Sequence, residues 1–270
     1  TALMPRRVIE TDICIIGSGI TATMMALKLA SAHRAQITMV EAGGPSVPLA
    51  ARFGHRARWL AYGETPWPGD HIDDQNAVGT AYGFSPSMNV GGLAMHWGGV
   101  TPRYSPEDFR ARSLYGVGTD WPITYDDLDP FYQEAEERMG VSGEQGPPEL
   151  DPRSKPFPMP PLPLTYNLEK LRAWTSNAGI PMWSQPSAKN SVPYEGRAVC
   201  QRCDTCYPVC PTGAKYSPDF TIDSLVKQRR VQLLVKTLVR RLHVDDRTGR
   251  ITHASANSTE RPADEVELRA

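Results

Sequence analysis

Net charge is almost absent from this 270-residue sequence: 29 Lys and Arg stand against 30 Asp and Glu, leaving -1 at neutral pH. That balance gives no electrostatic case for binding nucleic acid or an anionic membrane surface. No run of about 18 apolar residues occurs, so no segment reads as a spanning helix. A basic n-region followed by an apolar h-region is also missing at the N-terminus. The chain opens on Thr1 and not on Met, which suits a processed or trimmed start. Internal repeats are absent. Cysteine is scarce, with 5 in all, and four of them fall in one run between Cys200 and Cys210. The even, dispersed spacing of a disulfide scaffold is therefore missing, and 29.8 kDa is enough chain to bury one large core without such staples.

Near the N-terminus stands a crossover unit, "DICIIGSGITATMMALKLASAHRAQITMVEAGG". Ile13 to Ile16 is a short, continuously apolar run, as a parallel strand buried on both faces requires. A glycine turn follows, then an Ala-, Met- and Leu-rich stretch suited to helix, then a second apolar strand from Ile37 to Val40. The turn Gly17-Ser18-Gly19-Ile20-Thr21-Ala22 has the form G-x-G-x-x-A. Gly17 permits the tight turn and Gly19 lets the backbone approach a pyrophosphate. Ala22 is small enough for helix and strand to pack closely, and the N–H groups at the helix start face the anion. Glu41, at the end of the second strand, stands where an acid accepts hydrogen bonds from ribose hydroxyls. The rival reading is an ordinary tight crossover with no ligand; the strand before, the helix after and the acid beyond argue against it. These residues do not choose between NAD and FAD.

Further along, Pro45 to Phe84 shows no sustained period and reads as irregular structure with scattered aromatics such as Trp59 and Trp67. Ser105-Pro106-Glu107-Asp108 offers an N-cap hydroxyl, a first-turn proline and acids facing the positive helix end. Asp129-Pro130 repeats that pattern and opens a helix running through "FYQEAEERM" to a stop at Gly140. The proline-rich stretch from Pro147 to Pro163 excludes helix and central strand and reads as an extended loop. Ser217-Pro218-Asp219 caps another helix towards Arg230. Two β-like runs, "VQLLVKTLVRRLHV" and "RITHASAN", flank a hairpin turn from Asp246 to Gly249, and "DEVELRA" begins a strand.

Cys200, Cys203, Cys206 and Cys210 are spaced C-x2-C-x2-C-x3-C, with Pro211 following. This is the bacterial ferredoxin run, whose short intervals let one loop wrap several thiolates around an iron–sulfur cube. With no second run in the chain, Cys210 either serves the same cluster or does something else. Structural zinc takes two cysteine pairs separated by about a dozen residues or more, and this run is too compressed for it. Two disulfides inside the run are geometrically awkward, yet compatible with an oxidising compartment. Four free thiols would have no stated reason.

A second glycine cluster lies in "NVGGLAMHWGGVTPRYSPEDF". The pairs Gly91-Gly92 and Gly98-Gly99 allow close backbone approach to a flat cofactor, with His96 between them. A hydrogen-bonded core histidine is the plainer role for His96. Through this cluster the sequence resembles the glucose–methanol–choline family of flavin oxidoreductases, and most of all its branch of sugar and gluconate-type dehydrogenases and pyranose oxidases. Gly91-Gly92, His96-Trp97 and Pro102-Arg103 stand where that family carries a G-G-x-x-x-H-W turn beside the flavin. "DWPITYDDLDPFYQEAEERMGVSG" and "VEAGG" match further stretches of it. Val239, in "KTLVRRL", matches a family position whose backbone meets the adenine edge. Some relatives bind flavin covalently at the histidine corresponding to His96; Met95 precedes it here in place of a hydroxyl residue.

The resemblance implies an α/β, Rossmann-like FAD-binding fold, a doubly wound parallel sheet with a cysteine-rich loop insert and part of a substrate-side layer. The FAD-binding domain would run over 8–146 and resume over 217–270, with the Pro-rich loop and iron–sulfur insert over 147–216. FAD would meet Gly17, Gly19, Ala22, Glu41, Gly91, Gly92, His96 and Val239. Relatives with the insert hold a [3Fe–4S] cluster on three cysteines, which match Cys200, Cys206 and Cys210. Cys203 is then a fourth ligand of a [4Fe–4S] centre or a bystander. The implied reaction is removal of a hydroxyl proton from a sugar or sugar acid, with hydride transfer to the flavin and electrons leaving through the cluster to a cytochrome c subunit. A small subunit assists secretion in such relatives, which act at the outer face of the cytoplasmic membrane; the alternative location is cytoplasmic. The family's catalytic histidine lies near the end of a longer chain, and none of the histidines here matches it. The expectation is therefore an N-terminal half, from a split gene with a C-terminal companion polypeptide, a cut protein or a partial sequence, with its base outside this chain. A non-catalytic flavin and cluster relay subunit, a sugar oxidase with disulfides in the cysteine run, and a structural protein with a degenerate nucleotide fold are the alternatives.

Overall fold

A computed structural model describes residues 7–58, 87–206 and 209–270. In chain order the elements are strands β1 (Arg7–Glu10) and β2 (Ile13–Ile16), helix α1 (Ile20–Ala32), strand β3 (Ile37–Val40), then helices α2 (Leu49–Arg58), α3 (Ala111–Tyr115), α4 (Tyr125–Met139), α5 (Tyr166–Asn177) and α6 (Pro218–Lys227). Strands β4 (Val231–Leu234), β5 (Thr237–Val244), β6 (Ile251–Ser258) and β7 (Glu265–Arg269) complete them. They fall into two units. The first comprises Thr1–Trp97, Tyr207–Pro211 and Ser217–Ala270, and the second Gly98–Cys206 and Thr212–Tyr216. The division thus cuts inside the stretch 8–146 that the sequence reads as one piece, because residues beyond Gly98 pair through short bridges such as Val100 with Ser187 and Ser142 with Ser187. It also parts the cysteine run, with Cys210 in the first unit and the other three in the second.

In the first unit β2, β3 and β4 form a parallel sheet in that order, with β3 central. All four residues of β3 are buried, as a strand covered on both faces demands. Ile37 and Met39 point to one face, where they join Ile15, Ala26, Ala30, Ile222 and Leu225 of β2, α1 and α6. Each Ile, Leu and Met among them contributes about 1.5–3 kcal/mol of burial, and each Ala less. Ala26 and Ala30, one helical turn apart and both buried, let α1 lie close against the sheet. Val40 serves the opposite face, packing with Ile9, Ala254, Ala256 and Leu268. These last belong to a mixed sheet ordered β1-β7-β6-β5, parallel between β1 and β7 and antiparallel elsewhere. Among the described residues the parallel sheet therefore has helices on one face and a second sheet on the other. The alternating small and apolar residues of β6 and β7 make that packing possible.

Three local expectations change. "VQLLVKTLVRRLHV" is not one run: it breaks at Lys236, whose φ of 53° is left-handed, and β4 and β5 enter different sheets. Helix α4 begins at Tyr125, one turn before the expected start at Asp129-Pro130. Thr124 and Asp127 form a reciprocal capping box there, which satisfies two orphan donors at once. Within the segment read as irregular, α2 occupies Leu49–Arg58, while Trp59 and Trp67 lie outside the described residues. Helix α6 does start at Pro218 behind Ser217, and it ends at Lys227, ahead of Arg230.

The second unit is organised around buried ions. Asp129, Gln133 and Glu136 lie on one face of α4 and are buried. Arg103 gives two hydrogen bonds to the Glu136 carboxylate, at 2.8 and 3.0 Å, and others to the Tyr125 hydroxyl and to Asp129. Arg153 joins at Glu136 from the other side. Burial would lower the Arg103 pKa, but the hydrogen bonds of Glu136 and Tyr125 and the charge of Glu136 outweigh it and hold the guanidinium above its ordinary range. Among the described residues no helix is long and apolar enough to cross a membrane.

Candidate functional site

The carboxyl ends of β2 and β3 carry the glycine turn and Glu41, as the crevice of an open parallel sheet requires. Gly17 has φ of 90°, a conformation that side-chain-bearing residues rarely adopt. Gly19 is the N-cap of α1; no side chain caps it, and no acid lies in the helix's first turn. A Cβ at Gly17 or Gly19 would meet no atom of the described residues within 4 Å, so among these residues nothing crowds the helix start. Ala22 is half-buried and packs against the α1 face of the core.

Ser18 ties the pieces together. It is fully buried; its N–H and its hydroxyl donate to Glu41 Oε2, at 3.1 and 2.5 Å. Glu41 Oε1 accepts from the Gly43 N–H at 2.8 Å. The Ser18 hydroxyl in turn accepts from the Gly91 N–H at 3.0 Å. Two glycine segments distant in sequence are thus joined through one hydroxyl and one carboxylate. Gly91 has φ of 98° and Gly92 of 55°, and a Cβ on Gly92 would stand 3.7 Å from the Gly19 Cα. Gly43 is required by contact: a Cβ there would fall 1.9 Å from the Met88 carbonyl carbon. Glu41 and Gly43 are further stitched to the β4–β5 join by backbone bonds from Thr237 to Glu41 and from Lys236 to Gly43.

His96 follows the short helical turn Gly92–Met95. Its Nε2 lies 2.9 Å from the Ser87 hydroxyl and 3.4 Å from the Asn89 side-chain nitrogen. Val239 is half-buried in β5, beside the irregularity between Val239 and Arg241, and packs with the second core cluster. Gly17, Gly19, Ala22, Glu41, Gly91, Gly92, His96 and Val239 all belong to the first unit. Gly99 lies in the second unit, where a Cβ would stand 3.2 Å from Lys215 Cγ and 3.4 Å from Lys189 Cε; its smallness admits two lysine stems.

None of the five cysteines is in a disulfide. Cys14 is half-buried, and that burial raises its pKa, as expected of an inert core thiol. In the second unit Cys200 and Cys206 are half-buried and Cys203 is exposed; Cys210, in the first, is buried. Arg202 and Asp204 are left-handed, with φ of 51° and 52°, so the chain curls between the thiols. The Arg202 N–H donates to Cys200 Sγ at 3.4 Å, and Cys203 Sγ lies 3.0 Å from the Thr205 hydroxyl. Below the loop, the Cys200 N–H donates to the carbonyl of fully buried Asn190 at 2.8 Å, and Lys215 Nζ donates to the Cys206 carbonyl at 3.1 Å. Among the described residues no three His, Cys, Asp or Glu side chains converge as a ready-made metal site. In chemistry alone the run offers what an iron–sulfur centre would need: four cysteines in no disulfide, with a backbone N–H aimed at the sulfur of Cys200.

Sequence reasoning passed over Ser18, Gly43 and Lys215. A small hydroxyl residue inside G-x-G and a glycine pair after the acid were the available signals for the first two; Lys215 left none.

A parallel sheet with a glycine turn, an acid and a second glycine segment gathered at its carboxyl end has the architecture of a dinucleotide-binding fold. The chain belongs to the glucose–methanol–choline family of flavin oxidoreductases. It is 33% identical over 239 residues to the fructose dehydrogenase large subunit of Gluconobacter japonicus, covering 79% of this chain and 43% of that protein. It is 31% identical to 2-methyl-1,2-propanediol dehydrogenase of Mycolicibacterium austroafricanum, over 78% of this chain and 39% of the relative. The crystal structure of pyridoxine 4-oxidase from Mesorbium loti shares the fold with a TM-score of 0.56 at 17% identity, over 96% of this chain and 48% of that one. The chain therefore spans less than half the length of these relatives. No family model matches it.

Proposed function

We propose that this chain is the FAD- and cluster-holding part of a dehydrogenase that oxidises a hydroxyl of a sugar or sugar acid. The observation that carries the reading is the Ser18–Glu41–Gly91 network, which brings two glycine segments together over an uncapped helix start. The N–H groups at the start of α1 would take the pyrophosphate, and Glu41, held by Ser18 and Gly43, would present its remaining lone pairs to ribose. Gly91 and Gly92 would admit the flavin ring, with His96 beside it and Val239 at the adenine. The curved cysteine run Cys200, Cys203, Cys206 and Cys210 would hold a [3Fe–4S] or [4Fe–4S] cluster. When bound, FAD supplies a hydride acceptor and the cluster a one-electron exit, which favours a dehydrogenase over an oxidase. The base that takes the substrate hydroxyl proton would lie outside residues 1–270. A cytochrome c subunit as electron acceptor, a small secretion subunit and a site of action at the outer face of the cytoplasmic membrane complete the proposal.

The test is a flavin spectrum of the protein titrated with fructose and gluconate, for residues 1–270 alone and together with the part that supplies the base, whether in continuation of this chain or on another. Bleaching by sugar or sugar acid only when that part is present is expected. Bleaching by a reduced protein partner but by no alcohol would replace the dehydrogenase with an electron relay.

A further inference from the structure

The amino ends of the parallel strands border an open cleft of about 710 Å³. It lies within the first unit, between the turn from α1 into β3 and the turn from α6 into β4, where Ile37 and Val231 face each other across the two strands. The glycine turn and Glu41 stand at the other end of the same sheet. The polar lining is three arginines, Arg34, Arg229 and Arg230, against one acid, Asp12, with Gln36 and Gln232 beside them. Asp12 is already committed: its carboxylate accepts the Gln36 N–H at 2.7 Å. Arg230 is committed too. Its guanidinium donates to the carbonyls of Ala30 and His33 at the end of α1, the second at 2.6 Å, which is ordinary work for a cation at a helix C-terminus. Arg34 and Arg229 have no such task. Among the described residues neither side chain makes an ion pair or a hydrogen bond.

Arg229 also holds a conformation that its side chain makes costly. It follows Gln228, the C-cap of α6, with φ of 55°. Helices commonly end on glycine in that left-handed position, because glycine adopts it freely and other residues do not. The turn uses only main chain: the Arg229 N–H donates to the Val226 carbonyl at 2.9 Å and the Arg230 N–H to the Leu225 carbonyl at 2.8 Å. The dipole of α6 attracts a cation to this end, but Lys227 already occupies its last turn. Glycine would close the same turn with less strain. Arg229 is thus a strained residue whose side chain serves no contact inside the fold, at the mouth of a cleft with unbalanced positive charge.

We propose that this cleft binds a small organic oxyanion of two or more charges, a phosphoester or a polycarboxylate. Arg34 and Arg229 approach it from two different turns, and guanidinium forks match the paired oxygens of either group. The amides of Gln36 and Gln232 offer further donors. The volume lies in the range of small-molecule sites. The assignment rests on neither the flavin nor the iron–sulfur reading.

The test is calorimetric titration of the purified protein in excess FAD, which keeps the start of α1 from competing for the titrant. Pyrophosphate and citrate are compared at constant ionic strength, with chloride as control. At least one of the two is expected to bind where chloride does not, and the preferred one tells phosphate chemistry from carboxylate. Arg34→Gln and Arg229→Gly should each weaken that binding about tenfold, as loss of one charge-assisted pair implies. The urea midpoint of Arg229→Gly should stay level or rise, which a residue kept for folding would not allow. No binding beyond the chloride control, or equal binding by wild type and the Arg34→Gln/Arg229→Gly double variant, overturns the site. A lowered urea midpoint in Arg229→Gly also overturns it. Binding of polyglutamate where neither small anion binds would replace the small ligand with an acidic protein segment.

Discussion

Replacing Gly19 with serine is expected to strip the flavin from the chain while leaving the apoprotein as stable as before. Two facts make these effects separable. Gly19 has φ of -65°, so it needs no glycine for its backbone conformation, and a Cβ there would meet no described atom within 4 Å. Serine is also a better N-cap than glycine, so α1 should not be weakened. A residue that folding does not require to be glycine is free to be one for a ligand's sake. In the Gly19→Ser variant the new side chain occupies the place the pyrophosphate would take. Bound flavin per chain should fall at least tenfold, equivalent to about 1.4 kcal/mol or more of binding free energy. The urea midpoint of the flavin-free protein should move by no more than about 0.5 kcal/mol of stability. The comparison must use apoproteins, because a bound cofactor itself raises apparent stability. Full flavin content in this variant would mean that the helix start does not face the cofactor.

Cys206→Ser carries the second large effect, loss of most of the iron with retention of flavin. Cys206 is half-buried and in no disulfide, its carbonyl accepts from Lys215, and it is one of the three cysteines that match the [3Fe–4S] ligands of relatives in the reading proposed above. A serine oxygen is a poor substitute for thiolate on iron. The proposed flavin contacts, Gly17 to Glu41 and Gly91 to His96, belong to the other unit, so the flavin absorbance should persist. Cys203→Ser separates two cluster types: a [3Fe–4S] centre survives it, and a [4Fe–4S] centre loses a ligand. Cys14→Ser is the control, because Cys14 packs in the core of the first unit. Iron loss from Cys14→Ser equal to that from Cys206→Ser would sink the assignment of the run.

The parts of this site that were legible in the sequence are those whose signal is local. Ile13–Ile16, the turn from Gly17 to Ala22 and Ile37–Val40 announce strand, turn and strand within one crossover, and the hairpin after β5 was equally plain. The parts that were not legible depend on partners far along the chain. Ser18 looks like filler between two glycines until Gly91, 73 residues on, donates to its hydroxyl. Gly43 is needed only because the Met88 backbone passes over it. The capping box of Thr124 and Asp127 was masked by the stronger pattern at Asp129-Pro130. Asp129 instead accepts hydrogen bonds from Arg103 and Gln133. Lys236 gives no warning that it will take a left-handed conformation, which is the bend that sends β4 and β5 to different sheets. Lys215 reads as a surface lysine, since burial is a property of tertiary packing and not of its neighbours in sequence.

The most direct measurement is the content of flavin, iron and acid-labile sulfide per chain in freshly purified protein. One polypeptide that encloses a flavin and wraps iron with its clustered thiols should carry about one flavin, about three or four irons and about four sulfides. Colourless protein, free of nucleotide and with its clustered cysteines oxidised to one another, would contradict it.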